Sequence, residues 1–294
     1  MLILPSRASR IGLTIVLLLV LVAAGASFLT RHLIGFGPYD PVAPAGVVPP
    51  TAPDGRHWLG TDALGRDLLA RILHGARISL TVGVLAEGVA LLLGVLIGAA
   101  AGYYGGRVDE ALMRLADIFF ALPAPLLALA VIAAFPDAEA IPGLRFLPEP
   151  SLALVFLVLG LIGWAGIARL VRAQILVVRE MDFAAAARAV GAGDARLLLR
   201  HLLPNALAPV VAAATLGVAG NILAESWLSF LGLGARPPLP SWGTMITEGQ
   251  SYLTTHPWVC VYPGLALLFT VLGFNLFGDG LREALDPRIR PPRR

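Results

Sequence analysis

The chain of 294 residues contains no lysine, because all 22 of its basic residues are arginine. The usual phosphate-binding loop of an ATPase places a lysine directly after a glycine-rich backbone turn. Enzymes that form a Schiff base with their substrate also need a lysine amine. Both kinds of site are therefore excluded, and if ATP drives this protein, a separate polypeptide hydrolyses it.

Other reactive side chains are scarce or scattered. The single cysteine, Cys260, lies in an apolar run, where it permits no internal disulfide and no cysteine-based zinc site. The five histidines include no His-Glu-x-x-His pair, which excludes the helix of a typical metalloprotease. We therefore expect no catalytic residues, no metal site and no bound cofactor in this chain.

Charged residues make up only 14% of the chain, whereas hydrophobic residues make up 57%. Soluble domains have about 25% charged and about 45–50% apolar residues. The excess falls in blocks of about twenty residues, the length a helix needs to cross about 30 Å of hydrocarbon. We therefore predict an all-α, polytopic membrane protein with six transmembrane helices, at residues 11–29, 80–103, 115–135, 151–170, 206–223 and 258–277.

The arginines indicate the orientation of these spans, since cytoplasmic loops carry an excess of positive charge. They precede the first span, follow the last, and cluster in the loops after the second and fourth spans, so that both termini are cytoplasmic. The net charge of +3 then reflects membrane topology and not nucleic-acid binding. The outer loop after the first span departs from the rule, but long segments cross with less regard to charge. Its arginines are Arg31, Arg56, Arg66, Arg71 and Arg77.

We divide the chain into an N-terminal anchor helix with an outer loop, at residues 1–75, and a transmembrane domain at 76–294 that contains a cytoplasmic loop at 171–205. The first span also has features of a cleaved secretory signal, with two arginines before it and small residues at 24–26. Its apolar run continues through Phe28 and Leu29, which favours a retained anchor.

Glycines recur every four residues in the second span, at Gly94, Gly98 and Gly102. They lie on one helix face, and small residues at this spacing let two helix backbones approach closely. This face packs either within the chain or against a second subunit.

The cytoplasmic loop at 171–205 has the pattern of helix, turn and helix. Phe183, Ala187 and Val190 are spaced as one apolar face of a first helix. Gly191 follows at the position where helices often end on a left-handed residue.

The second half of the loop predicts another helix. Asp194 is placed to cap it, and Pro204 is expected to break it before the fifth span. The pattern fits an amphipathic hairpin on lipid headgroups and equally a contact that transmits force from another subunit. The predicted apolar stripe consists of Ala195, Leu198, Leu199 and Leu202.

These residues resemble the signature loop of bacterial binding-protein-dependent ABC importer permeases: Glu-Ala-Ala, three residues, Gly, nine residues, an apolar residue, any residue, Leu and Pro. The chain keeps this spacing but has Ala185 in place of Glu and His201 in place of the apolar residue. The His201 variant points to the peptide-type branch. The resemblance implies that the following residues contact an ATPase: Ala185, Ala186, Ala187, Arg188, Gly191, Asp194, Arg200, His201, Leu203 and Pro204.

Three more segments resemble the second permease subunit of dipeptide, oligopeptide and nickel importers. They lie at residues 57–67, 228–243 and 275–287. The resemblance implies the type I ABC importer permease fold and a noncatalytic subunit that imports peptides of the dipeptide or oligopeptide class. Nickel and glutathione are alternative substrates. A secondary transporter would need inverted repeats, and an intramembrane enzyme would need a cluster of catalytic residues within the spans. We find neither feature in the sequence.

The family resemblance also implies partners and a location. A homologous second permease subunit completes the pore, two ATPase subunits bind ATP and Mg²⁺, and an extracytoplasmic binding protein delivers substrate. The complex lies among the lipids of the bacterial cytoplasmic membrane.

Single residues outside the loop carry further expectations. Glu87 lies inside the second span, where a carboxylate costs on the order of 2.5–3.5 kcal/mol. It is either buried against another helix or in contact with a cationic substrate group in the pathway. Asp117 is expected to pair with Arg114, one turn away. Trp58 and Trp242, in the outer segments, are candidates for docking the binding protein.

Overall fold

The computed structural model describes residues 6–43, 46 and 48–285. Within these residues the chain forms α-helices, short helical turns and two isolated β-bridges, which confirms the all-α prediction. The C-terminal residues Asp286 and Pro287 of the third matching segment, and the four arginines after them, lie outside the described residues. The helices are α1 (Arg7–Leu29), α2 (Leu68–Tyr104), α3 (Gly106–Ala121), α4 (Ala124–Ala134), α5 (Pro150–Val178), α6 (Asp182–Ala189), α7 (Asp194–Arg196), α8 (Leu203–Phe230), α9 (Trp242–Gly249) and α10 (Trp258–Leu285).

Five of these helices are long and apolar enough to cross a membrane, namely α1, α2, α5, α8 and α10. The third predicted span, at 115–135, coincides with parts of α3 and α4, which meet at an angle of 86°. Leu122 between them has an extended backbone, with φ −102° and ψ 134°. The cause is Pro123, because the proline ring clashes with a helical conformation of the preceding residue. The span predicted at 115–135 is therefore divided into two helices at Leu122 and Pro123.

Two helices extend beyond the spans predicted from the sequence, because charged residues near the span ends are also helical. α2 begins at Leu68 and not near 80, since the Asp67 carboxylate caps it by accepting from the Ala70 N–H at 2.8 Å. The boundary expected between residues 75 and 76 thus falls inside one uninterrupted helix. Likewise α5 extends to Val178, so that the following loop begins at 179 and not at 171.

The backbones of α2 and α5 are in close contact along the predicted glycine face. A Cβ atom on Gly94 would lie 2.5 Å from Cβ of Ile167, and one on Gly102 would lie 2.9 Å from the carbonyl oxygen of Arg172. On Gly98, a Cβ would overlap the carbonyl oxygen of Ala168. The glycine face therefore packs within the chain, as the first of the two interpretations states, and not against a second subunit.

The N-terminal helix packs along the last one. Gly12 of α1 lies against Phe277 and Gly273 of α10, and Ser9 lies against Gly280. The first and last described helices therefore begin and end at the same end of the bundle. The loop at 179–202 lies at this end too, and we call it the coupling end. The opposite end, which carries α9, is the α9 end.

The glycine contact predicts a difference between two substitutions in α2. Gly98→Ala adds a methyl group where Val171 Cβ would lie only 2.9 Å away, and overpacking of this kind costs about 1–3 kcal/mol. We expect a lower thermal unfolding temperature for the detergent-purified protein. Gly88→Ala is the matched control, because nothing lies within 4 Å of its added Cβ. Equal unfolding temperatures for the two variants would contradict the close contact.

Candidate functional site

The loop at the coupling end begins with α6, which ends on a glycine. Gly191 has a positive φ of +86°. Its N–H donates to the Arg188 carbonyl at 2.9 Å, and the Ala192 N–H donates to the Ala187 carbonyl at 3.0 Å. These two bonds form a Schellman motif, in which a left-handed residue closes the helix. The left-handed end expected from the sequence is present at Gly191.

The apolar side chains of α6 point away from the rest of the chain. Val190 is 89% exposed and Phe183 is exposed as well, whereas Ala184 is fully buried beside Val178 and Leu202. A helix of eight residues that is held at one small side chain leaves most of its surface uncovered. The face is available to lipid or to another protein. Of the remaining candidates in α6, Ala187 is half-buried, and those exposed are Ala185, Ala186 and Arg188.

Asp194 does not cap the second helix, which corrects the sequence-based expectation. Gly193 occupies the capping position, and no side chain caps the helix there. The Asp194 carboxylate instead accepts a hydrogen bond from the Tyr103 hydroxyl at 2.7 Å. Tyr103 lies in the last turn of α2, so this bond joins the loop to a membrane-spanning helix.

The rest of the loop is π-helical and not α-helical. Residues Leu197–Leu202 form a π-helix that leads directly into α8. Leu197 and Leu202 are buried five positions apart, as the wider i→i+5 repeat of this helix requires. Of the apolar stripe predicted from the sequence, Leu198 and Leu202 pack on the core, whereas Ala195 and Leu199 are exposed.

Pro204 does not break the chain's helix, contrary to expectation. It lies in the first turn of α8, and the helical path of the chain continues from the π-helix through it. The π-helix ends immediately before this turn. Of the other loop candidates, Arg200 is exposed, and those half-buried are His201 and Leu203.

Two further contacts at the coupling end hold α5 against its neighbours. The Arg179 guanidinium donates to the Gly102 carbonyl of α2 at 2.9 Å. Arg172 forms an ion pair with Asp109 of α3, in which Nη2 and Oδ2 are 2.6 Å apart. These contacts and the Tyr103 bond attach the loop and α5 to the same end of α2.

Glu87 is buried between α2 and α8, with 5% of its surface exposed. The Asn221 side-chain amide of α8 donates to its Oε2 at 3.0 Å, while its Oε1 is buried without a partner among the described residues. Gly217 makes room for the carboxylate, because a Cβ there would overlap it. Of the two interpretations of Glu87, burial against another helix matches this geometry.

Asp117 pairs with a different arginine from the one expected. Its Oδ1 lies 2.5 Å from Arg169 Nη2 of α5, and not beside Arg114 one turn away. The guanidinium of Arg169 also stacks on the ring of Phe120, at 3.9 Å from the centroid. The pair therefore joins α3 to α5.

The two tryptophans proposed for docking differ in exposure. Trp58 is 60% exposed at the α9 end. Trp242 is only 1% exposed, and its indole N–H donates to the Ile72 carbonyl of α2 at 3.0 Å. Its ring also packs on Gly75, where a Cβ would lie 2.9 Å from the indole. Trp242 is therefore a core residue that fixes α9 to α2. This corrects the expectation that its side chain contacts the binding protein directly.

A buried charge network at the α9 end was missed by sequence reasoning. Arg66 donates to Asp62 at 2.7 Å and to Glu248 at 3.2 Å. Arg71 pairs with Asp62 as well and donates to Glu248 at 2.7 Å. Two positive and two negative groups thus compensate one another, as buried charges must. Alternating acids and arginines at 62–71 hinted at ion pairing, but Glu248 is too distant in sequence to be identified.

The segment before this network is organised by hydrogen bonds to carboxylates. His57 Nδ1 lies 3.0 Å from Asp67 Oδ2, and both side chains are buried. The backbone N–H groups of His57 and Arg56 donate to Asp54 and hold the pKa of that exposed carboxyl below its usual value. The outer loop is therefore a shaped structure on the end of α2.

The chain is similar to characterised transport proteins over most of its length. It is 38% identical to the dipeptide transport system permease protein DppC of Alkalihalophilus pseudofirmus and 37% identical to the oligopeptide transport system permease protein OppC of Bacillus subtilis. Each match covers 97% of this chain and 87% of the relative. It is also 41% identical to the glutathione transport system permease protein GsiD of Pectobacterium atrosepticum, over 81% of this chain and 75% of that protein.

The fold matches that of a solved importer. An inward-facing structure of the MetNI methionine ABC transporter aligns with a TM-score of 0.56 and 19% sequence identity, covering 74% of this chain and 98% of that one. The chain thus has the type I ABC importer permease fold. Residues 94–291 match the family described as the binding-protein-dependent transport system inner membrane component. Because the family match covers residues 94–291 and relatives are 37–38% identical over 97% of the chain, the chain belongs to that family of membrane permeases.

Proposed function

We propose that this chain is one permease subunit of an ATP-driven peptide importer, and that it couples ATP hydrolysis by other subunits to substrate passage. The observation that carries the proposal is the exposed apolar face of α6, which includes Phe183 and Val190. Exposed apolar side chains on one side of a loop helix favour a protein contact. Since the chain contains no lysine for the usual phosphate-binding loop, the contact is with ATPase subunits that bind ATP and Mg²⁺.

The proposed complex contains a homologous second permease, two ATPase subunits and an extracytoplasmic binding protein. The coupling end faces the cytoplasm in this arrangement, because arginines are frequent in its loops. Both ends of the described chain, at α1 and α10, are then cytoplasmic. The α9 end faces the binding protein, and exposed Trp58 is the side chain that we propose contacts it.

The substrate class follows from the relatives and is part of the proposal. DppC and OppC are named for dipeptide and oligopeptide transport, and they match almost the whole chain. Glutathione is a second candidate, because GsiD is named for its transport and is 41% identical. Both candidates are peptides, so a peptide-sized, amide-bearing substrate is common to them.

The function is tested by reconstituting the chain with its partner permease, ATPase subunits and binding protein in liposomes. We expect uptake of radiolabelled dipeptide or glutathione that requires both ATP and the binding protein. Val190→Asp should abolish co-purification of the ATPase subunits, since an unpaired charge in a buried contact costs about 3–5 kcal/mol. Leu64→Asp is the matched control, because Leu64 is also exposed but lies at the α9 end. Uptake by this chain alone, driven by an ion gradient, would contradict the proposal.

The hydrogen bond between Tyr103 and Asp194 predicts a specific defect in coupling. Tyr103→Phe and Asp194→Ala each remove the bond, so we expect less peptide imported per ATP hydrolysed, with the ATPase subunits still bound. Asp194→Asn keeps an acceptor oxygen and should retain coupling. Tyr104→Phe is the control, because the neighbouring Tyr104 is exposed. The double variant should be no worse than either single one; additive losses would show that the two residues act separately.

Docking of the binding protein is tested at Trp58. Trp58→Ala should lower the stimulation of ATP hydrolysis by substrate-loaded binding protein by about tenfold or more, as truncation of a tryptophan anchor costs about 2 kcal/mol or more. Basal ATP hydrolysis and thermal stability should not change, because the side chain is largely exposed. Leu33→Ala, another exposed apolar residue near the same end, serves as the comparison. Full stimulation of the Trp58→Ala complex would exclude this contact.

A further inference from the structure

A cavity of about 460 Å³ opens between α4, α5 and α8. Its walls are mainly apolar, with Ile162 of α5 and Ala224 and Trp227 of α8 among them. Asn221 supplies the one side-chain amide of the lining. A volume in the range of about 300–1,000 Å³ with a few polar groups in an apolar wall is typical of small-ligand sites.

The break between α3 and α4 lies at this cavity. Ala124 and Pro125, which follow the extended residue Leu122, are part of its wall. Non-helical backbone at membrane depth is tolerated where it is buried in protein or lines a cavity. Interrupted helices of this kind also border substrate sites in other transporters. The bend therefore has a structural reason at this place, because it shapes one wall of the cavity.

The side-chain amide of Asn221 is oriented by a hydrogen bond to Glu87. Its nitrogen donates to Glu87 Oε2 at 3.0 Å, which leaves its carbonyl oxygen as an acceptor, and the residue is part of the cavity wall. Glu87 is itself nearly inaccessible and rests against Gly217. A buried intramembrane carboxylate is costly and marks a functional site by default. Here it acts through Asn221, since it does not line the cavity itself.

We propose that this cavity is a substrate subsite that receives an apolar side chain of a transported peptide, while Asn221 accepts a hydrogen bond from a main-chain N–H of that peptide. Glu87 is the positioning residue that orients Asn221. The apolar wall excludes a hydrated metal ion as the ligand, and within the described residues no group of three metal-ligating side chains exists. This subsite rests on the proposed peptide import. It adds to that proposal the place in the transport pathway where the side chain of the peptide is bound.

The subsite is tested by side-chain selectivity in the reconstituted complex. Dialanine and dileucine are supplied together with the same binding protein, and their uptake ratio is measured. Ala224→Leu narrows the cavity, so uptake of dileucine relative to dialanine should fall by about tenfold, the effect of a few methyl groups in an apolar pocket. Ala124→Leu narrows the opposite wall and should act in the same direction. Gly264→Leu in α10 is the control, because nothing lies within 4 Å of a Cβ added there and α10 does not line the cavity, so it should leave the ratio unchanged.

The polar part of the subsite is tested with Asn221 and Glu87. Asn221→Leu should reduce uptake of both dipeptides while ATP hydrolysis and thermal stability persist. Glu87→Gln keeps an acceptor for the Asn221 amide and should retain uptake, whereas Glu87→Ala should reduce it. Loss of uptake in Glu87→Gln would instead indicate a direct contact with a cationic group and would overturn the positioning role.

The outcomes separate the subsite from the proposed function. If the wild-type complex imports neither dipeptide nor glutathione, peptide import fails and the subsite fails with it. If it imports dipeptides and both narrowing variants are folded with an unchanged uptake ratio, the subsite alone is overturned. Photo-cross-linking to the partner permease in the resting complex, from a probe attached at Ala224→Cys in a Cys260→Ser background, would also overturn it, because the partner would then fill the cavity.

Discussion

The close contact between the backbones of α2 and α5 is the constraint on which the rest of the structure depends. Glycines at 94, 98 and 102 permit it, and larger residues would overlap α5. α2 cannot slide along α5 without breaking this fit, since tightly packed interiors deform little. The features attached to α2 are therefore held at fixed distances from one another.

Three such features lie along α2. Arg71 and Trp242 fix α9 to the first turns of α2, and Glu87 contacts α8 through Asn221 near the middle of α2. Tyr103 holds the loop at 179–202 to the last turn of α2. From residue 71 to residue 103 a helix rises roughly 48 Å, at about 1.5 Å per residue. One helix thus joins the two ends of the bundle and the cavity between them. We propose that a displacement of the loop at 179–202 is transmitted to the α9 end through α2, because a coupling mechanism needs a physical connection of this kind.

Features encoded by local patterns were predictable from the sequence, whereas those set by distant partners were not. The apolar blocks, the glycine face of α2 and the left-handed end of α6 at Gly191 each depend on neighbouring residues, and each is present in the structure. The π-helix at 197–202 and the capping role wrongly given to Asp194 show the limit, because the hydroxyl that binds Asp194 comes from Tyr103, about ninety residues earlier. In the same way, the burial of Trp242 depends on its contact with α2, and Glu248 pairs with arginines that are far away in the chain.

If α2, the loop at 179–202 and the α9 end move as one body, the distance between spin labels at the two ends of α2 is the same in every nucleotide state. In a Cys260→Ser background, labels at Leu64→Cys and Leu199→Cys report on the α9 end and the coupling loop, and both positions are exposed. The account predicts the same distance distribution in the nucleotide-free and ATP-bound complex, while distances from this chain to the partner permease change. A shift of about 5 Å, one helical turn, within the chain would contradict it.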